Sequence, residues 1–295
     1  MSDHGTNQLL ATELPLLAAA ARLSGDKNLT ARIHDQLHEM AAWSPLQRPG
    51  WCAFGDRLPP DGKDGNWLAT GTGIRAIADT MEILGRDRLP PETVARLDQL
   101  LAAEIVSIVD DWTAQRPWFI QHRTPLTNQW VLPTEGLIRA CLVLGRDRHH
   151  AAYELGVANL FAHLDAHGEQ GAFEEGIHYA DFTVASLLAT ARAMALAGDR
   201  RALEHPFLQR FPLWAIHHFQ PGGFFINAFD AFAAARGNPA MLKGILAMSA
   251  LSLNSRESLW ALDHLAGGPD DSLAGMLSRT LPRVPRPPRR IKPYA

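Results

Sequence analysis

The chain has 295 residues, is 46% hydrophobic and carries a formal net charge of -3. That balance excludes a general electrostatic pull toward nucleic acid or an anionic membrane, and the length allows one large domain or two small ones. The two cysteines, Cys52 and Cys141, match no metal spacing and give no disulfide framework.

The N-terminus opens Met1-Ser2-Asp3-His4 without a basic region. The apolar run Leu14 to Leu23 contains Pro15 and no cleavage site, so it reads as a core helix and not a signal peptide. No apolar stretch approaches the length of a membrane span. The expectation is a soluble, cytoplasmic protein, with a periplasmic location left open.

Apolar residues then recur at helical spacing. Ile74, Ile77, Ala78, Met81 and Leu84 form one stripe; Val94, Leu97, Leu101, Ile105, Ile108 and Trp112 form the next. Leu137, Ala140, Cys141 and Leu144 follow, then Leu155, Ala158, Phe161 and Ala162, then Val184, Leu187, Leu188, Ala191 and Ala195. Cys141 sits inside such a stripe and reads as a buried thiol. Strand signals are nearly absent.

Several helices stop alike, at Gly25, Gly85, Gly145 and Gly198, with spacings of 60, 60 and 53 residues. Glycine suits the position just past a helix because it enters the left-handed region without a Cβ clash. An aspartate follows each and can start the next helix; Gly237-Asn238-Pro239 is a further stop. The pattern is a degenerate repeat of helix, tight turn, helix and long return loop. The long loops, Trp43 to Trp67, Gln115 to Thr127 and His167 to His178, carry aromatics, and loops of that length are commonly functional. A ring of hairpins would gather them at one end. The predicted fold is all-α, an incomplete or complete α/α toroid over 1–280. A Pro- and Arg-rich tail over 281–295 cannot be helix.

Three loops put polar residues at helix starts. Thr127-Asn128-Gln129-Trp130 precedes an apolar helix; there Thr127 or Asn128 serves as an N-cap, or the amide faces a ligand. Trp130 is either core packing or a sugar-stacking platform. Glu174-Glu175-Gly176-Ile177-His178-Tyr179 opens another helix, its acidic pair complementing the helix dipole. Tyr179, one of 3 tyrosines, is either half-buried and locally satisfied or a proton carrier. Gly222-Gly223-Phe224-Phe225-Ile226-Asn227-Ala228-Phe229-Asp230 is the third such loop. An amide, an imidazole and a phenol together suit removal of a proton from the carbon beside a sugar carboxylate. Gly71-Thr72-Gly73 imitates a dinucleotide fingerprint, but no strand precedes it. His163 and His167 share a helix face without a third ligand and read as surface histidines.

Taken in order, the pieces Asn128-x-Trp130 with Glu135-Gly136-Leu137, Gly171-x-Phe173-x-Glu175-Gly176-x-x-Tyr179 and Gly223-x-x-x-Asn227-x-x-Asp230 resemble the heparinase II/III-like and related alginate lyase families of polysaccharide lyases. The resemblance covers about residues 60 to 240. It implies an α/α toroid that cleaves a uronate-containing glycan by β-elimination, with no nucleotide, redox cofactor or metal. It gives Asn128 the substrate carboxylate and Tyr179 the proton, assisted by His122 or His178. Arg123, Trp130, Glu175, Asn227 and Asp230 become substrate contacts. The implied partner is an acidic polysaccharide or oligosaccharide. Such lyases usually carry a C-terminal β-sandwich, which a partner domain or a homo-oligomer would replace here. The alternative expectation is a catalytically silent carbohydrate-binding or scaffold toroid.

Overall fold

The computed structural model describes residues 3–47, 67–220, 224–226 and 240–288. They are helical in the main: α1 (Asp3–Ser24), α2 (Lys27–Met40), α3 (Leu68–Leu84), α4 (Pro91–Ala114), α5 (Trp118–Gln121), α6 (Asn128–Leu144), α7 (His150–Ala166), α8 (Ile177–Leu196), α9 (Pro206–His217), α10 (Ala240–Leu253), α11 (Arg256–His264) and α12 (Leu273–Ser278). Among the described residues the only strands are β1 (Phe219–Gln220) and β2 (Phe224–Phe225), an antiparallel pair two residues long. The chain is all-α, as its periodicity predicts. By packing, the chain divides into two compact units, Met1–Leu160 and Phe161–Ala295, with the boundary inside α7.

Four of the predicted helix stops are present, and the fifth, Gly237-Asn238-Pro239, lies outside the described residues. Gly25, Gly85, Gly145 and Gly198 have φ of 70°, 96°, 104° and 90°, a region that costs a residue with a Cβ. Asp26 starts α2 as expected, its Oδ1 accepting from the Asn28 and Leu29 N–H groups at 2.8 and 3.2 Å. Such a cap contributes about 1 kcal/mol. Beyond α12, residues 281–288 form no helix, and Val284 is buried among them. Residues 289–295 of the tail lie outside the described residues.

The sixty-residue rhythm becomes a packing register. In the first unit, Asn7 of α1 donates to the Ala69 carbonyl of α3, 62 residues on. One end further along, Arg22 donates to the Ile83 and Leu84 carbonyls, 61 and 62 residues on. A constant offset along both helices means that α1 and α3 run in the same direction. The same test holds for α3 and α6: Gly71 meets Leu132, and Asp79 pairs with Arg139. Thus α1, α3 and α6 form a parallel row, while α2 and α4 pack together as return helices. In the second unit, Asp181 of α8 lies beside Gly244 of α10, and the Leu188 carbonyl accepts from Ser252, 64 residues on. So α8 and α10 are also parallel.

The core follows the predicted stripes for α3, α4 and α8. Ile74, Ile77, Ala78, Met81, Leu97, Leu101, Val184, Leu187 and Leu188 are fully enclosed. The α7 stripe differs from expectation. Leu155, Phe161 and Ala162 are half-buried and Ala158 is exposed, whereas Tyr153, Val157, Leu160 and Leu164 are buried. Apolar residues surround this helix on all sides, so spacing alone did not select the inward face. Asn159 and His163, buried on the true inward face, masked it further.

Candidate functional site

Asn128 is the first residue of α6 and is 2% exposed. Neither it nor Thr127 caps the helix through its side chain; the Thr127 hydroxyl instead donates to the Thr124 carbonyl at 3.0 Å. Among the described residues the Asn128 Oδ1 has no hydrogen-bond partner. A buried amide oxygen without a donor is costly and uncommon in a native fold. The segment leading to α6 is a succession of turns from α5, closed by the Thr124 N–H on the Phe119 carbonyl at 3.0 Å.

Trp130 takes the core role of its two sequence readings. It is buried, its indole meets Trp112 edge-on at 4.5 Å, and its Nε1 donates to the Asn159 carbonyl at 2.9 Å. At 7% exposure the ring offers little open surface. His122 and Arg123 are exposed in the turn after α5. Arg123 has φ of 50° and makes no ion pair among the described residues. Trp118, 42% exposed, is the large aromatic that this turn presents to solvent.

In the second unit, the loop from His167 to Gly176 is fixed from below. Gly171, at φ 77°, lies where a Cβ would come within 2.5 Å of the Arg210 and Phe211 backbone of α9. Gly176, at φ 88°, then turns the chain into α8. Glu175 precedes this turn, His178 and Tyr179 follow it, and all three are half-buried. The Tyr179 ring sits 5.8 Å from His178 edge-on and 5.8 Å from Phe182. An imidazole and a phenol therefore share the first turn of α8. Asn227 and Asp230 lie outside the described residues.

Several buried polar groups escaped the sequence reading. Asp181, two residues past Tyr179, has a carboxyl pushed up to about 7 by burial and by the charge of Asp270. His163 and His167 are 0% and 6% exposed, which corrects the surface assignment. The His167 ring stacks between Phe173 at 4.8 Å and Phe207 at 4.9 Å, and meets His163 at 4.6 Å. Burial, then His163, lowers its pKa to about 3. On α3 and α6, Arg139 pairs with Asp79 and lies near Glu82, while Arg75 feels the charge of Glu135. The spacing of Arg75, Asp79 and Glu82, and of Glu135 and Arg139, puts each set on one helix face. That regularity was the available signal. Gly71 and Gly73 belong to this helix packing, not to a phosphate loop. Cys141 is fully buried, and burial raises its thiol to about 12, an inert state.

Among the described residues no three His, Cys, Asp or Glu side chains gather as metal ligands, and no helix is long and apolar enough to cross a membrane. No protein-family model matches the chain, and no curated protein matches it.

Proposed function

We propose that the chain is an α/α-toroid protein of the polysaccharide lyase type, cleaving a uronate-containing glycan by β-elimination. The observation that carries this reading is the first turn of α8, where the half-buried residues Tyr179 and His178 adjoin. Support for a toroid comes from the parallel helices offset by about one repeat within each unit.

In the proposed reaction, a base removes the proton from the carbon beside the uronate carboxylate. The electron pair left behind forms a double bond to the neighbouring carbon as its glycosidic oxygen departs, and that oxygen takes up a proton. Charge grows on the carboxylate along this path, so a donor there counts most in the transition state; Asn128 is assigned that role. Tyr179 is assigned the proton. A phenol acts as base near neutral pH only beside a cation, and His178, His122 and Arg123 are the candidates. No cofactor enters this scheme. The substrate is an acidic polysaccharide or oligosaccharide, and the proposed protein partner is a β-sandwich domain or a second copy.

One observation favours a second reading, that of a catalytically silent carbohydrate-binding or scaffold protein. Asn128 is 2% exposed, which suits a structural amide better than one that meets substrate. Incubation with a panel of acidic polysaccharides separates the two. Growth of the ultraviolet absorbance of unsaturated uronate supports the lyase. Binding without product supports the silent protein. Neither binding nor product rejects both.

A further inference from the structure

Glu104 is a carboxyl group in the wrong surroundings for a charge. It lies in the middle of α4, 2% exposed. Its Oε1 accepts from the Leu46 backbone N–H at 2.7 Å, and among the described residues its Oε2 has no partner. An ionised carboxylate wants several donors when shut away from water, and here one backbone N–H serves it. A single charge-assisted hydrogen bond does not offset the loss of hydration of a full charge. The neutral form, with its carbonyl oxygen on the same N–H, suffers far less.

The partner is equally particular. Leu46 lies outside the helices, and among the described residues the backbone bonds of its stretch reach only as far as Ser44. Its N–H goes to Glu104, and its carbonyl accepts from Asn7 Nδ2 at 3.2 Å. Its side chain reaches Gly73, where a Cβ would stand 3.3 Å from Leu46 Cδ1. The same Asn7 nitrogen donates to the Ala69 carbonyl at 3.0 Å. Side chains from α1 and α4 thus seat a non-helical segment at the start of α3. A segment held by a few side-chain bonds opens at lower cost than the helices beneath it.

We infer that Glu104 is a proton-controlled latch on Leu46: neutral, it seats the segment inside the first unit, and ionised, it lets that segment open while the helices stay folded.

The neighbouring charges support the direction. Asp111, two turns further along α4 and 3% exposed, adds a negative charge, and its own carboxylate holds Arg116 Nε at 2.6 Å. The titratable groups that α2 brings to α4, His34 and His38, meet Thr93, about 16 Å along the helix from Glu104 at 1.5 Å per residue. On α1, Asn7 is an uncharged amide, and His4, one turn earlier, has its pKa lowered by burial and then by Arg75. The charges of α3 and α6, Arg75, Asp79, Glu135 and Arg139, engage one another. Burial first, and Asp111 after the opposing Leu46 bond, raise the Glu104 carboxyl from 4.5 to about 7. The seat is therefore firmest below pH 4.5 and loosens as pH rises through 7.

Hydrogen exchange of the Leu46 amide in the full chain, corrected for intrinsic rate and referenced to amides of α3 and α6, tests the latch. Between pH 5 and 7 its protection falls by about tenfold per pH unit, the slope of one linked proton, and then levels off, while the reference amides hold. Glu104→Gln keeps an acceptor and flattens the profile. A flat wild-type profile overturns the inference, as does a decline shared with the reference amides. If Glu104→Gln fails to fold, the wild-type profile still decides. If it folds and the slope persists, another group drives the opening and the inference falls.

Discussion

Gly71 and Leu132 lie so close that a Cβ on the glycine would overlap the Leu132 carbonyl oxygen. The contact sets the closest approach of α3 to α6, and Gly136 faces the Gly71 Cα from the other side at what would be 2.9 Å. Here glycine is needed for proximity, not for an unusual backbone angle. Gly71→Ala must push the helices apart or break local hydrogen bonds. Overpacking of this kind costs about 1–3 kcal/mol and more where backbone must yield. Gly25, by contrast, has a positive φ and open space around it, so Gly25→Ala costs about 1 kcal/mol in backbone strain. Urea denaturation of the two variants gives the comparison; equal costs would contradict the close-packed α3–α6 contact.

Arg139 and Asp79 form an ion pair whose side chains are 7% and 17% exposed. Burial, then the positive charge of Arg75, weakens the Arg139 hold on its proton, so the guanidinium depends on its acidic neighbours. Arg139→Met leaves the half-buried Asp79 without its cation and costs about 3 kcal/mol, the low end for a broken buried pair. The double variant Arg139→Met, Asp79→Leu removes both charges and recovers much of that loss. The four unfolding free energies form a cycle. A single-variant cost near zero would show that the pair is not needed.

His167 makes the fold acid-sensitive. Its pKa is lowered to about 3 in the folded protein from an ordinary 6.5. The unfolded chain therefore binds a proton that the folded chain refuses between those values. Stability from this group is complete above pH 6.5 and falls as pH drops toward 3. The slope reaches about 1.4 kcal/mol per pH unit. His167→Phe, which keeps a flat ring between Phe173 and Phe207, reduces the loss of stability between pH 6.5 and 4. An unchanged pH profile in that variant would place the acid sensitivity elsewhere.

The helices and their stops were readable because Gly25, Gly85, Gly145 and Gly198 mark a backbone requirement that depends on local chain geometry alone. The repeat was readable for the same reason, and the 62-residue offset from Asn7 to Ala69 is its three-dimensional form. The inward face of α7 was not readable. Its apolar residues give no single stripe, and the buried positions His163 and Asn159 look like surface residues in sequence. Glu104 was hidden for a different reason: its chemistry depends on Leu46, 58 residues away, and no local pattern announces that partner. Of the expected site residues, His178 and Tyr179 are part-exposed, whereas Trp130 joined the core because Trp112 and the Asn159 carbonyl meet it there.

The proposed elimination turns on the Tyr179 hydroxyl. Tyr179→Phe removes that oxygen and keeps the ring beside His178 and Phe182, so the fold is expected to survive and only the proposed proton carrier is lost. Asn128→Ala should also slow turnover, through loss of a donor to the growing carboxylate charge. The decisive measurement is the rate of unsaturated uronate formation by wild type and Tyr179→Phe on the same accepted acidic polysaccharide, with binding measured alongside. The account predicts a loss of about two to four orders of magnitude in rate with binding retained. A Tyr179→Phe protein that forms product at the wild-type rate would contradict it.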